Sequence, residues 1–63
     1  MEGPVEEQVI TRVMDYLAEH PEGKRIAEIE THLGLASPVL LSIIERLVRD
    51  GKVRREGQRY GVL

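Results

Sequence analysis

The segment from Ile29 to Ile43 constrains what this chain can fold into more than any other feature. Ile29 and Leu33 lie one helical turn apart, and Gly34 follows at a point where a positive φ can end a helix. Leu35 is placed to fill the corner after the glycine. The next helix then returns to the same core through Leu40 and Ile43. This pattern predicts two helices packed around a tight turn.

The remaining elements follow from apolar spacing and from start and stop signals, and together they predict one domain over residues 1–63. The predicted elements are a helix over about residues 4–20, a short strand over about 24–26, a helix over about 27–33, a helix over 38–50 and a hairpin over 52–63. The first helix carries an apolar stripe formed by Val5, Val9, Ile10, Val13, Met14 and Leu17. We expect Ser37 to cap the third helix and Pro38 to take its first position.

The hairpin alternates around Glu56-Gly57, which predicts a two-residue turn at those positions. In that register Val53 faces Tyr60 on the core side of the sheet. Arg54 then faces Arg59 on the exposed side, where two like charges repel. Such a pair is easier to explain if an anionic partner lies against it, although charged side chains also protect sheet edges from pairing.

Composition excludes several classes of site. The chain has 63 residues and no cysteine, so it has neither a disulfide nor a thiolate metal site. His20 and His32 are its two histidines, and neither belongs to a nucleophile-and-base arrangement. The sequence therefore predicts no catalytic residue, no metal site and no cofactor. No apolar run approaches the roughly 20 residues of a membrane span, and we expect a cytoplasmic protein.

Charge is distributed unevenly along the chain. The net charge is −2, but residues 1–36 carry eight acids and three bases, whereas residues 37–63 carry six bases and three acids. A nucleic-acid-binding protein needs a local positive field rather than a positive total. A solvated face of ordinary mixed charge would give the same count.

The order helix, strand, helix, helix, hairpin resembles the winged helix–turn–helix family from about Val5 to Leu63. The resemblance implies a mainly α fold, with three helices and a wing sheet of two or three strands. Members of this family bind DNA, RNA or proteins. In the DNA-binding members, which are of transcription-regulator type, the third helix enters the major groove and the wing touches the backbone or the minor groove.

Carried over to this chain, the resemblance implies a DNA-binding set on the third helix and the wing. The candidates are Ser37, Ser42, Arg46, Arg49, Lys52, Arg54, Arg55 and Arg59. The third helix is otherwise poor in donors for base readout, because Leu41 and Glu45 lie on or beside its outward face. Glu30 departs from the family pattern, which has a small residue four positions before the turn glycine. Its carboxylate must point outward or pair, with Arg46 as one partner.

The segment THLGLASPVLLSIIERLVRDGKV also lines up without gaps with the Z-form nucleic-acid-binding subfamily. That subfamily reads its ligand with an asparagine and a tyrosine on the third helix. Leu41 and Glu45 hold those positions here, so the resemblance does not extend to that activity. Tyr60 corresponds loosely to the wing aromatic of the subfamily, and we expect it in the core.

Two functions remain open from sequence. The first is a small winged-helix protein that binds double-stranded DNA, mainly through the backbone, and regulates transcription, with a homodimer on two half-sites as one arrangement. The second is a protein-interaction module of a larger complex, which would bind through an apolar surface formed by Val39, Leu41 and Val48.

Overall fold

Three helices and a three-stranded antiparallel sheet form the structure, a computed structural model that describes the backbone from Gly3 to Leu63 and the side chains from Glu6 onward. The elements are α1 (Gly3–Ala18), β1 (Lys24–Arg25), α2 (Ile26–Leu33), α3 (Ser37–Arg49), β2 (Val53–Glu56) and β3 (Arg59–Val62). The sheet order is β1-β3-β2. The predicted winged helix–turn–helix architecture is confirmed, with boundaries that differ from the predicted ones by up to two residues.

The core forms where the three helices meet the inner face of the sheet. Its buried apolar side chains are Val13, Leu17, Ile29, Leu33, Leu40, Ile43, Ile44, Leu47, Val53 and Tyr60. From the predicted stripe of the first helix, Val9, Ile10 and Met14 pack partly buried against this core. Val5 belongs to the same predicted stripe but lies outside the described side chains. Burial of each aliphatic side chain contributes about 1.5–3 kcal/mol, which makes this cluster the main source of stability.

The turn between α2 and α3 forms as the sequence predicts. Gly34 has φ 70°, and its N–H donates to the carbonyl oxygen of Glu30 at 2.7 Å, closing the last turn of α2. Leu35 follows and packs partly buried against the core. A side chain with a Cβ is strained at this φ, so glycine is the residue that lets α3 return across α2.

The start of α3 differs from the prediction that Ser37 caps it. Ala36 is the N-cap, with φ −75° and ψ 151°, and no side chain bonds to the end of the helix. The carbonyl of Ala36 accepts the first intrahelical bond from the N–H of Leu40 at 3.1 Å. Ser37 is the first helical residue and Pro38 the second, where the missing N–H of proline removes a donor that has no partner inside the helix.

The wing turn also lies one residue later than predicted. Gly57 and Gln58 form the loop, and Gly57 takes the positive φ, 64°, at the first loop position, as in a type II′ turn. Val53 consequently pairs with Val62 rather than with Tyr60, and Arg54 pairs with Gly61 rather than with Arg59. The predicted repulsion between Arg54 and Arg59 across the strands is therefore wrong.

No single helix in the described part of the chain is long and apolar enough to cross a membrane. The pair formed by α2 and α3 passes the same criteria of length and composition when the two helices are taken together, but they bend by 114° at the break between them.

Candidate nucleic-acid interface

The outward face of α3 is polar and exposed. Because Leu40, Ile43, Ile44 and Leu47 are buried, the opposite side of the helix faces away from the protein. That side carries Pro38, Ser42, Glu45 and Arg49, all of them exposed, and Ser37 is exposed in the first turn of the helix. Glu45 has the wrong charge for a phosphate, and the two serines are short. This face therefore offers Arg49 as its one full positive charge outside the ion pair described next.

Arg46, which lies on one flank of that face, forms an ion pair with Glu6 of α1. Both side chains remain about half exposed, at 55% and 49%. The suggested pairing of Arg46 with Glu30 is wrong, because the guanidinium turns toward α1 instead. The pair joins α1 to α3 and neutralises one of the two arginines that α3 could offer to a partner.

Glu30 lies half-buried on α2. One of its carboxylate oxygens, Oε2, is shielded from solvent and accepts no hydrogen bond from a described residue. The sequence predicted that the Glu30 carboxylate would either point outward or form a pair, and this oxygen does neither. A shielded acceptor without a donor costs stability, and a carboxylate in the helix–turn–helix also works against an anionic ligand.

Arg54 is held within the wing. Its Nη1 donates to Oε1 of Glu56 at 2.6 Å, and its Nη2 donates to the carbonyl oxygen of Pro21 at 3.3 Å. The guanidinium lies over Gly61, where an added Cβ would come within 3.6 Å of it. That distance is an ordinary van der Waals contact. Through its bond to Pro21, Arg54 ties the sheet to the turn after α1.

Arg59 instead faces two other charged residues of the sheet. The register places it opposite Arg25 of β1 on one side and opposite Glu56 of β2 on the other. Arg55 pairs with Tyr60 across the strands, and its Nε donates to the carbonyl oxygen of Gly57 at 3.3 Å. Side chains directly opposite each other point to the same face, so Arg25 and Arg59 form a like-charge pair.

The basic residues divide into those that have an ion-pair partner and those that do not. Among the described residues, Lys24, Arg46 and Arg54 lie within 4 Å of a carboxylate. No such pair is found, within the same part of the chain, for Arg12, Arg25, Arg49, Lys52, Arg55 and Arg59. Five of these six lie at the end of α3, in the wing or on β1, and Arg12 lies on α1. Sequence reasoning missed Arg25, because a two-residue strand gives no alternation from which to read its pairing.

Three apolar side chains of α3 are exposed or partly exposed. Val39 is 53% exposed near the start of α3, while Leu41 and Val48 are half-buried on the same helix. On α3, the exposed apolar area is therefore concentrated at Val39, and the side chains of Leu41 and Val48 are only partly exposed.

The two histidines are packed around one tyrosine. The ring of Tyr16 stacks on His32 at a centroid distance of 4.0 Å and meets the edge of His20 at 4.8 Å. Nδ1 of His20 lies 3.5 Å from Oε2 of Glu22. Within the described residues, no group of three or more metal-ligating side chains comes together.

Two carboxylates near β1 have lowered pKa values, mainly because they accept backbone hydrogen bonds. The backbone N–H of Arg25 donates to Oε1 of Glu28 at 3.0 Å, and this bond is the main cause that lowers the pKa of Glu28; the charges of Lys24, Arg59 and Arg25 lower it further. The pKa of Glu22 is lowered as well, chiefly by a hydrogen bond from its own backbone N–H. Both shifts favour the ionised carboxylates in the folded state.

Residues 8–57 match the family model of the IclR helix-turn-helix domain. The matched range begins within α1 and ends in the wing turn, so it covers most of the chain and both helices of the helix–turn–helix. Comparison with curated proteins and with solved structures finds no match.

Proposed function

The chain belongs to the IclR helix-turn-helix domain family, a winged-helix family of DNA-binding transcription regulators, and we propose that it binds duplex DNA mainly through the phosphate backbone. The domain of this family is a regulatory one rather than a catalytic one. The proposed contacts are Ser37, Ser42, Arg46, Arg49, Lys52, Arg54, Arg55 and Arg59. A protein that binds chromosomal DNA must be in the compartment that contains this DNA. A cytoplasmic location remains part of the proposal.

The observation that carries the proposal is the grouping of bases without ion-pair partners. Arg49, Lys52, Arg55 and Arg59 follow one another from the end of α3 through the wing, and all four are exposed. The acids of the described chain lie mostly on α1, α2 and the turn between α1 and β1. A net charge of −2 is thus compatible with a positive surface on the wing side, which is what association with a polyanion requires.

The chemistry of α3 supports backbone contacts over base readout. Bidentate readout of a base edge needs arginine, lysine, asparagine or glutamine in reach of the groove. On the outward face of α3, Glu45 accepts hydrogen bonds only, and on its flank Arg46 is paired with Glu6, so Arg49 is the one such donor left on this helix without an ion-pair partner. The serines are suited to contact phosphate oxygens. We therefore expect weak dependence of affinity on DNA sequence.

The six basic residues among the eight proposed contacts divide into three groups. Arg54 is bound to Glu56 and to the carbonyl of Pro21, so its main effect is to hold the wing in position. Arg46 is held by Glu6 and becomes a direct contact only when that ion pair is removed. Arg49, Lys52, Arg55 and Arg59 keep their charge available without a rearrangement, and we assign the direct phosphate contacts to them.

An amide-shift titration with mixed-sequence duplex DNA tests the proposal. Shifts are expected over residues 37–59, and Arg55→Gln should weaken binding, because a phosphate contact is lost. Arg12→Gln is the matched control, since it removes the same charge from an exposed position on α1. Equal affinity of the two variants, or shifts confined to α1 at low salt, would contradict the proposal.

The exposure of Val39 favours a second candidate, binding of a protein partner through Val39, Leu41 and Val48. Val39→Ser should then weaken binding of that partner and leave DNA affinity unchanged. A second copy of the chain is one such partner, since a regulator on two half-sites needs a dimer. Sedimentation at increasing protein concentration, with Val39→Ser as the comparison, measures whether this surface joins two copies.

A further inference from the structure

We propose that Arg25, at the junction of β1 and α2, is a further phosphate-binding residue that acts together with Arg59. The inference rests on the proposed function, because it extends the DNA-binding surface from the wing across the sheet to β1. It assigns a ligand to a position outside the third helix and the hairpin. The ligand is the phosphodiester backbone of duplex DNA.

The register of the sheet carries the proposal. Arg25 lies directly opposite Arg59 in the antiparallel β1–β3 pair, and both side chains are exposed. Like charges opposite each other on one face destabilise a strand pair. Neither arginine has an ion-pair partner among the described residues. Glu28 offsets part of this repulsion, and a phosphate that lies between the two guanidinium groups would remove the rest.

The carboxylates closest to this pair are already engaged. Glu56, on the other side of Arg59, accepts a hydrogen bond from Arg54 at 2.6 Å. Glu28 accepts the backbone N–H of Arg25 rather than its guanidinium. Lys24, next to Arg25, lies 3.9 Å from Glu22. The nearby acids thus have partners of their own, and the two arginines keep a local excess of positive charge.

The shape of the surface fits an extended anion. A shallow depression runs between the start of α2 and the tip of the wing, with Arg25 on one side and Arg55, Gly57 and Gln58 on the other. Arg25 and Arg55 come from different strands and line the same depression. A phosphate chain that lies in this depression can therefore meet Arg55 and Arg25 without a change in the fold.

The test compares Arg25→Gln with the wild type and with Arg12→Gln, using fluorescence anisotropy of a labelled mixed-sequence duplex. We expect Arg25→Gln to bind more weakly and to make the log–log salt slope about 0.9 less steep, the value for one phosphate contact. The ratio of wild-type affinity to Arg25→Gln affinity should then fall about 3.5-fold between about 50 and about 200 mM salt. Arg12→Gln should keep the wild-type slope, and Arg25→Lys should keep most of the affinity.

Thermal unfolding of the free proteins separates binding from structure. Arg25→Gln removes one of two like charges that face each other across the strands. We therefore expect its midpoint of thermal unfolding to lie above that of the wild type, while its DNA affinity is lower. A wild-type slope in Arg25→Gln, or a variant that is unfolded or less stable, overturns the proposal. These outcomes are distinct from failure of the proposed function, which is an absence of salt-dependent DNA binding by the wild type itself.

Discussion

At the scale of single residues, two positions near the end of α2 have opposite effects on stability: Gly34 suits the structure, whereas Glu30 does not. Gly34 takes a positive φ and closes α2 by a bond to the carbonyl of Glu30. The side chain of Glu30 has one carboxylate oxygen shielded from solvent and without a described donor. Helix propensity, packing and charge all favour a small apolar residue there. Glu30 is therefore the position at which a substitution should improve the domain.

We predict that Glu30→Ala raises the free energy of unfolding by about 1 kcal/mol, since it removes an acceptor without a partner and introduces a better helix former. It should also raise affinity for DNA, because one negative charge leaves the helix–turn–helix. Urea denaturation measures the first effect. Glu45→Ala, an exposed truncation on α3, should change stability by less than about 0.5 kcal/mol. Equal or lower stability of Glu30→Ala would show that the carboxylate has a donor in solution.

At the scale of elements, the wing shows that alternation of apolar and polar residues predicts the buried face of a strand but not its pairing register. The predicted turn at 56–57 and the observed turn at 57–58 differ by one residue, so every cross-strand pair shifts by two. A shift of two leaves each side chain on the same face of the sheet. Val53 and Tyr60 are therefore buried as predicted, although they are not partners.

The same shift changes the chemistry of the wing. Arg54 is not opposite another arginine but over Gly61 and beside Glu56, and the like-charge pair is Arg25 with Arg59. Spacing along the chain predicted the helices and the buried faces, because helical and strand periods are local. It did not predict the pairing register or the Glu6–Arg46 contact, because these depend on how distant elements dock.

The ion pair between α1 and α3 gives a second prediction. Glu6 holds Arg46, so Glu6→Gln should release the guanidinium, raise DNA affinity and steepen the log–log salt slope by about 0.9. Glu7→Gln is the control, because it removes the same charge from the next residue of α1. Anisotropy titrations of both variants give the slopes. If both raise affinity equally without a change of slope, the effect is one of net charge and Arg46 makes no contact with DNA.

At the scale of the whole molecule, the charge distribution couples stability to pH through the carboxylates around β1. Glu22 and Glu28 have pKa values lowered from 4.5 in the folded protein. Their contribution to stability is complete above the unfolded pKa and is lost as the pH falls through the lower folded values. The bond from the backbone of Arg25 and the nearby bases are thus part of what holds the start of α2.

We expect the unfolding midpoint to fall as the pH is lowered below about 4.5, and Glu28→Gln to reduce that fall. The glutamine keeps an acceptor for the N–H of Arg25 but does not titrate. Thermal scans between neutral and acidic pH measure the effect, with Glu45→Gln as the exposed control on α3. A pH dependence in Glu28→Gln that equals that of the wild type would show that the Arg25 bond contributes nothing to acid stability.

The central claim is that this domain binds DNA through phosphate contacts on the wing side, and its most direct test is the salt dependence of affinity for two duplexes of unrelated sequence. With Arg49, Lys52, Arg55 and Arg59 as contacts, the slope of log K against log salt should be about −3.6, with similar affinities for both duplexes. A slope near zero, or a strong preference for one duplex with a shallow slope, would contradict backbone-dominated binding.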